Sequence, residues 1–222
     1  MGALDGFTLP KTGKHYKPRQ GAYVEYQKVQ EIIQKEDPFW GLLIETIFTF
    51  GLRVHEAIGK PPYDAKPGIR PIDIDSVKPA AIGLDAPHTL RIYRKRGKFT
   101  VLPMDQTRYD KIKKHIKKEK IGMNDRIFPR DRTTVYQHLA RHGRCVNDKY
   151  PIGCHALRRG FGVDYLNNGG DIQDLQQIYD HEKMAQTFEY VGGNRKRAFN
   201  NLSKFHRERS NGGGVLTQDD GL

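Results

Sequence analysis

A mainly helical α+β fold with one small antiparallel sheet is what this sequence of 222 residues predicts. Three observations carry that expectation. Apolar residues recur at helical spacing through most of the segment from residue 22 to about 192. Strand-like alternation is confined to "IDIDSVK", "HTLRIYR" and "FTVLPM", all between residues 72 and 104. No apolar run approaches the roughly 18–20 residues of a membrane span, and there is no internal repeat.

Each element has a local cause. Residues 1–21 are rich in Gly, Pro, Lys and Arg without a helical period, and read as a basic arm. "AYVEYQKVQEIIQKED" places Val29, Ile32 and Ile33 on one helical face. Asp37-Pro38 is a cap followed by proline at the first helical position. The helix it opens carries Trp40, Leu43, Ile44, Ile47 and Phe48 at core spacing, and Gly51 closes it. "RVHEAIGK" is a short helix, and the prolines of "PPYDAKPGIRP" make residues 61–71 a loop. Gly97 supplies the turn between the second and third strand-like stretches. Beyond Asp105, helices are expected at about 105–121, 131–147, 155–168, 172–179, 183–192 and 194–208. The last residues, 210–222, have the composition of a disordered tail.

Charge narrows the partner. The formal net charge is +12, and it is clustered: "RIYRKRGK" holds five cations, "KIKKHIKKEK" six lysines and "NRKRAFNNLSKFHRER" six cations. That pattern points to a polyanion, nucleic acid before an anionic membrane. The second residue is Gly, but the myristoylation pattern is not completed, and no signal peptide precedes the fold. Cys145 and Cys154 make no metal-binding spacing and read as buried free thiols.

One helix start is unusual. In "HALRRGFGVDYLNNGG", His155, Arg158 and Arg159 span only about 100° of arc, beside a core stripe of Leu157, Phe161 and Tyr165. Such a helix is held by one flank and offers phosphate-binding groups on the other, near amides that also favour an anion. Downstream, Asp171 caps a helix packing through Ile172, Leu175 and Ile178. His181 lies in the turn after it, with Tyr190 nine residues further on. Met184, Phe188 and Val191 make the apolar stripe of the last of these helices, and Tyr190 falls off that stripe.

With these residues in view, the chain from 22 to about 192 resembles the catalytic domain of the tyrosine recombinase (phage integrase) family. The family's His-x-x-Arg, then a Gly-His-like pair, then Tyr stands here as "HALR", "DH" and "Y": His155, Arg158, His181 and Tyr190. Its "TGLRxxE" stands as "FGLRVHE", with Arg53 and Glu56. Its hairpin, of the form "GKGxKxRxVPL", aligns without a gap to "RKRGKFTVLPM", which puts the catalytic lysine at Lys95 and a second basic position at Lys98. The chain differs at Arg159, where many members have His, and at Asp180, which replaces the glycine of the common Leu-Gly-His.

The resemblance implies a DNA breaking-rejoining fold over residues 22–193, followed by a basic helix at 194–209 that docks on a neighbouring protomer or contacts DNA. It implies site-specific cleavage and rejoining through a 3′-phosphotyrosine on Tyr190, with no metal or ATP as cofactor. Arg53 and Arg158 would clamp the phosphate, His155 and His181 would donate hydrogen bonds, and Lys95 would protonate the leaving oxygen; Lys98 or Arg96 are alternatives for that donor. Glu56 would orient Arg53. Arg159, Lys98 and Arg96 are further candidates for DNA contact. Arg130, Arg132, Gln137 and Arg141, from "RDRTTVYQHLARHGR", are candidates for groove contact.

The implied partner is double-stranded DNA, bound by a homotetramer across two sites, with a monomer or dimer when free and no membrane. The expected setting is a prokaryotic cytoplasm, with the gene on a host, virus or plasmid. Only about 21 residues precede the catalytic segment, too few for the helical domain that family members usually carry there, so the expectation is a catalytic fragment or a minimal recombinase. Two other functions share these residues: relaxation of supercoils in the manner of a type IB topoisomerase, and a DNA-binding regulator without catalysis.

Overall fold

The computed structural model describes residues 22–61, 66–94, 97–146 and 151–191, with backbone alone for the last three. Among the described residues the elements are α1 (Tyr26–Lys35), α2 (Pro38–Thr49), α3 (Val54–Ile58), β1 (His88–Tyr93), β2 (Phe99–Met104), α4 (Gln106–Glu119), α5 (Arg132–Ala140), α6 (Cys154–Asn167), α7 (Ile172–Ile178) and α8 (Met184–Val191). The fold class is the expected one. The arm at 1–21, the helix at 194–208 and the tail at 210–222 lie outside the described residues.

The organising element is α2, which packs against α1, α3, α4 and α6. The Asp37 carboxylate accepts from the backbone N–H groups of Phe39 (2.9 Å) and Trp40 (3.1 Å), satisfying two donors that a helix start leaves free. Leu43, Ile44, Ile47 and Phe48 are then buried in the main core, each contributing roughly 1.5–3 kcal/mol by leaving water. Gly51 ends the helix at φ +57°, and a Cβ there would lie 2.5 Å from the Phe161 ring. The bare backbone therefore lets the end of α2 press against α6. A smaller cluster, Val163, Leu166, Leu175 and Tyr179 with Phe161 and Tyr165 alongside, joins α6 to α7.

The hairpin pairs His88 with Met104 through Tyr93 with Phe99, and buries Leu90, Ile92, Leu102 and Met104 at the period of two that a strand requires. Gly97 takes φ +70° at its tip, and Arg94 N–H donates to Lys98 O (2.7 Å) at its base.

Three sequence expectations need correction. "IDIDSVK" is not a strand: Pro71–Asp73 form a single tight 3-10 turn, and Ile74 makes one isolated bridge to Leu90. The cause is Asp73, fully buried and gripped by Arg70 (3.1 Å) and Arg91 (2.9 Å), after which Asp75 at φ +52° breaks the extended path. Helix α5 stops at Ala140, not about 147, because the chain reverses at Gly143 (φ +106°) and then bridges Arg144 to Pro151 and Val146 to Tyr23. Cys154 is a buried free thiol whose pKa burial pushes up to about 12, whereas Cys145 is only half-buried and its thiol donates to Pro151 O. Among the described residues no helix is long and apolar enough to cross a membrane.

Candidate active site

A single carboxylate organises the site. Glu56, on the first turn of α3, folds back so that its Oε2 accepts the backbone N–H of Arg53 (2.7 Å), as a third-position acid does at a helix start. The same carboxylate accepts from Arg53 Nη1 (3.0 Å) and Arg94 Nη1 (2.7 Å), and Arg158 Nη1 stands 3.5 Å away. Glu56, Arg94 and Arg158 are 3%, 1% and 0% exposed. Burial pushes the Glu56 carboxyl up, but the charges of Arg94, Arg158 and Arg53 and the Arg53 N–H outweigh it and hold the group below its ordinary 4.5. Three guanidiniums share one carboxylate, so the cluster stays positive and suits an anion.

Helix ends fix the guanidiniums. Arg158 Nη1 donates to Gly51 O, just past α2, and Nη2 to Tyr179 O, just past α7, both at 2.7 Å. Arg94 Nη2 donates to Ile178 O (2.9 Å) and Nε to Thr100 Oγ1 (3.3 Å). Carbonyls at helix C-termini have no partner within the helix, so they are natural acceptors for these forks. Tyr179 is wholly buried: its ring lies 4.1 Å from the Arg158 guanidinium carbon and its hydroxyl donates to Arg158 O. Tyr179 thus braces Arg158.

The first turn of α6 brings His155 beside Arg158. Loss of hydration, then the charges of Arg159, Arg132, Arg158 and Arg53, lower the His155 pKa to about 4. His155 is neutral at pH 7. Arg159, half-buried, donates to Ala22 O (3.2 Å) and so ties α6 to the start of the described chain.

His181 sits between α7 and α8, where its Nδ1 lies 3.0 Å from Thr187 Oγ1 and its backbone O accepts from Gln176 Nε2 (3.0 Å). Asp180 just before it takes φ +51°, the left-handed conformation that a glycine adopts without strain, and so preserves the turn of the Leu-Gly-His pattern. Asp180→Gly is expected to leave the fold unchanged and to stabilise it by no more than about 1 kcal/mol, measured by urea unfolding. On α8 the sequence reading needs revision: Phe188 is 53% exposed and Thr187 fully buried, because His181 gives the Thr187 hydroxyl a partner. Tyr190 lies on α8, one turn beyond Thr187, and α8 packs against α6 and α7.

The structure thus brings Arg53, Glu56, His155 and Arg158 to one place, with His181 following the α7 end that holds Arg158. Lys98 is exposed at the hairpin, while Lys95 and Arg96 lie outside the described residues. Arg132, Gln137 and Arg141 are exposed on or just past α5. Arg130 lies with its guanidinium carbon 4.4 Å from the Phe39 ring centre. Arg94 went unnoticed in the sequence because it stands in a cationic run that reads as solvent-facing. Its one available signal was alternation: Leu90 and Ile92 share its strand face and are buried.

The model of the phage integrase family matches residues 66–197. A probable integrase/recombinase of Acholeplasma phage L2 is 38% identical over 86 residues, 36% of this chain and 28% of that protein. The tyrosine recombinase XerD of Halalkalibacterium halodurans is 23% identical over 212 residues, 89% of this chain and 64% of that protein. The chain therefore spans less than two thirds of these relatives. Among solved structures, XerA recombinase superposes with a TM-score of 0.61 at 20% identity, covering 90% of this chain and 67% of that one. The catalytic domain of bacteriophage HP1 integrase gives 0.53 at 16% identity, covering 89% and 98%. With more than half of its length matched by the family model, and with this fold, the chain belongs to the phage integrase family.

Proposed function

We propose that this chain cleaves and rejoins DNA strands at specific sites, with Tyr190 as nucleophile. The observation that carries the reading is the cluster of Arg53, Arg94 and Arg158 about Glu56, a fixed positive centre that includes a residue of α6, the helix against which the helix of Tyr190 packs. Attack by the Tyr190 hydroxyl oxygen on a phosphodiester forms one P–O bond and breaks the bond to the 5′ oxygen. The tyrosine proton passes to His155, and Lys95 supplies a proton to the departing oxygen. Arg53 and Arg158 offset the charge that gathers on the non-bridging oxygens, helped by His181. One ester replaces another, so a second 5′-hydroxyl can reverse the step without ATP or a metal.

Double-stranded DNA is the partner this chemistry requires. The structure of XerH is of a complex with its difH substrate, and that of λ integrase is of a dimer on a core site. A tetramer across two sites, forming from monomers or dimers in a prokaryotic cytoplasm, is the corresponding proposal here. Arg132, Gln137, Arg141, Lys98, Arg96 and Arg159 are the candidates for DNA contact. The decisive experiment incubates the chain with duplexes nicked near the scissile phosphate, drawn from the ends of the element that encodes it. A protein–DNA adduct stable to SDS and attached at a 3′ phosphate supports the proposal. Relaxation of any supercoiled plasmid without pairing of sites would favour a topoisomerase, and binding with no adduct a regulator.

The protonation of His155 gives an independent check. Loss of hydration and four arginine charges lower its pKa, and a phosphate placed among those charges opposes their field. The sign is therefore upward on binding: NMR titration is expected to find His155 near pH 4 in the free protein and clearly higher in complex with DNA. A value unchanged by DNA would place the phosphate elsewhere.

A further inference from the structure

Helices α1 and α5 meet at a cluster that the cleavage chemistry does not use. Glu36 closes α1, His138 lies in the last turn of α5, and His142 follows one helical turn later. His138 Nε2 lies 2.9 Å from Glu36 Oε2, and His142 Nε2 lies 2.6 Å from Glu36 Oε1. The three ligand atoms all fall within 4.8 Å of one another. Both Nε2 atoms are buried and both pair with this one carboxylate. Two buried ring nitrogens converging on a single carboxylate form a ligand set that a cation can take over. The Trp40 ring stacks on His138 at 3.8 Å and 7°, which fixes the plane of that imidazole in advance.

We propose that Glu36, His138 and His142 bind a divalent transition-metal ion of the zinc type, as a structural site that ties α1 to α5. Two imidazoles and one carboxylate suit zinc, whereas calcium and magnesium require a set of oxygens. The spacing of four residues between the histidines puts both on one helical face, and Glu36 supplies the third ligand from about a hundred residues earlier. The side chains keep 10–18% of their surface exposed, so an ion can enter and water can fill the fourth position. The site shares no residue with the cluster around Glu56, and it stands whether or not Tyr190 is the nucleophile.

The test uses the untagged full chain, stripped with chelator and dialysed. Zinc titrated against a chromophoric chelator is expected to show one ion per chain with a dissociation constant of about 1 μM or tighter. A hundredfold excess over that constant is expected to raise Tm by roughly 5–10 °C. Cobalt in place of zinc is expected to give the visible bands of a tetrahedral site. His142→Gln and Glu36→Gln change groups at helix ends and are expected to keep the far-UV circular dichroism while weakening zinc binding at least about tenfold. The proposal is overturned if zinc leaves Tm unchanged, or if either variant, folded as the parent, binds zinc or colours with cobalt as the parent does.

Discussion

Tyr190→Phe is expected to reduce the covalent adduct on a nicked duplex by at least about 10⁴-fold, while DNA affinity stays within about twofold of the parent. The variant removes one oxygen, the atom that would form the phosphate ester. Tyr179 provides the contrast. It stands two residues before His181, where the family's nucleophile stands nine after it, and its hydroxyl is committed to Arg158 O in a buried position. Tyr179→Phe is expected to cost about 1 kcal/mol of stability, for the one hydrogen bond lost, and still to form adduct. Denaturing gels of both variants on the same duplex separate the two tyrosines. Adduct persisting at the parental level in Tyr190→Phe would falsify the assignment of the nucleophile.

The second large effect is on the fold. Glu56→Ala leaves the Arg94 and Arg158 guanidiniums, both almost wholly buried, without their shared counter-charge. Breaking a buried pair from one side costs about 3–5 kcal/mol, so Tm is expected to fall on the order of 10 °C. Glu56→Gln, which keeps an acceptor but not the charge, is expected to fall between the two. Acid sensitivity follows the same group. Its pKa in the folded protein lies below 4.5, so its stabilisation is complete above pH 4.5 and is lost as pH falls through the lower folded value. Equilibrium unfolding of the parent and Glu56→Gln between pH 3 and 7 tests this: the parent's advantage is expected to shrink on the acid side.

Much of this was legible in the sequence because the signals were local. Asp37-Pro38 and Gly51 bounded α2, Gly97 marked the hairpin, and two short motifs named Arg53, Glu56, His155 and Arg158. What escaped depended on distance along the chain. Arg94 looks like its cationic neighbours, and only Glu56, 38 positions earlier, and Ile178, 84 later, make it a buried residue. Asp73 turned a strand pattern into a tight turn because Arg70 and Arg91 both reach it. An eight-residue α8 spans too few turns for its stripe to be unambiguous, and His181 decided which face went inward. Glu36 could not be joined to two histidines on α5 until the fold placed them together.

The carbonyls of Ile178 and Tyr179 hold Arg94 and Arg158, and the same stretch of chain continues through His181 into α8. The arginine cluster and the helix that carries Tyr190 are therefore joined by only a short turn. A displacement of α8 would reach the carbonyls that aim both guanidiniums, so the position of that helix and the arrangement of the arginine cluster are linked. Such a linkage turns the position of one helix into a timing signal for the whole centre.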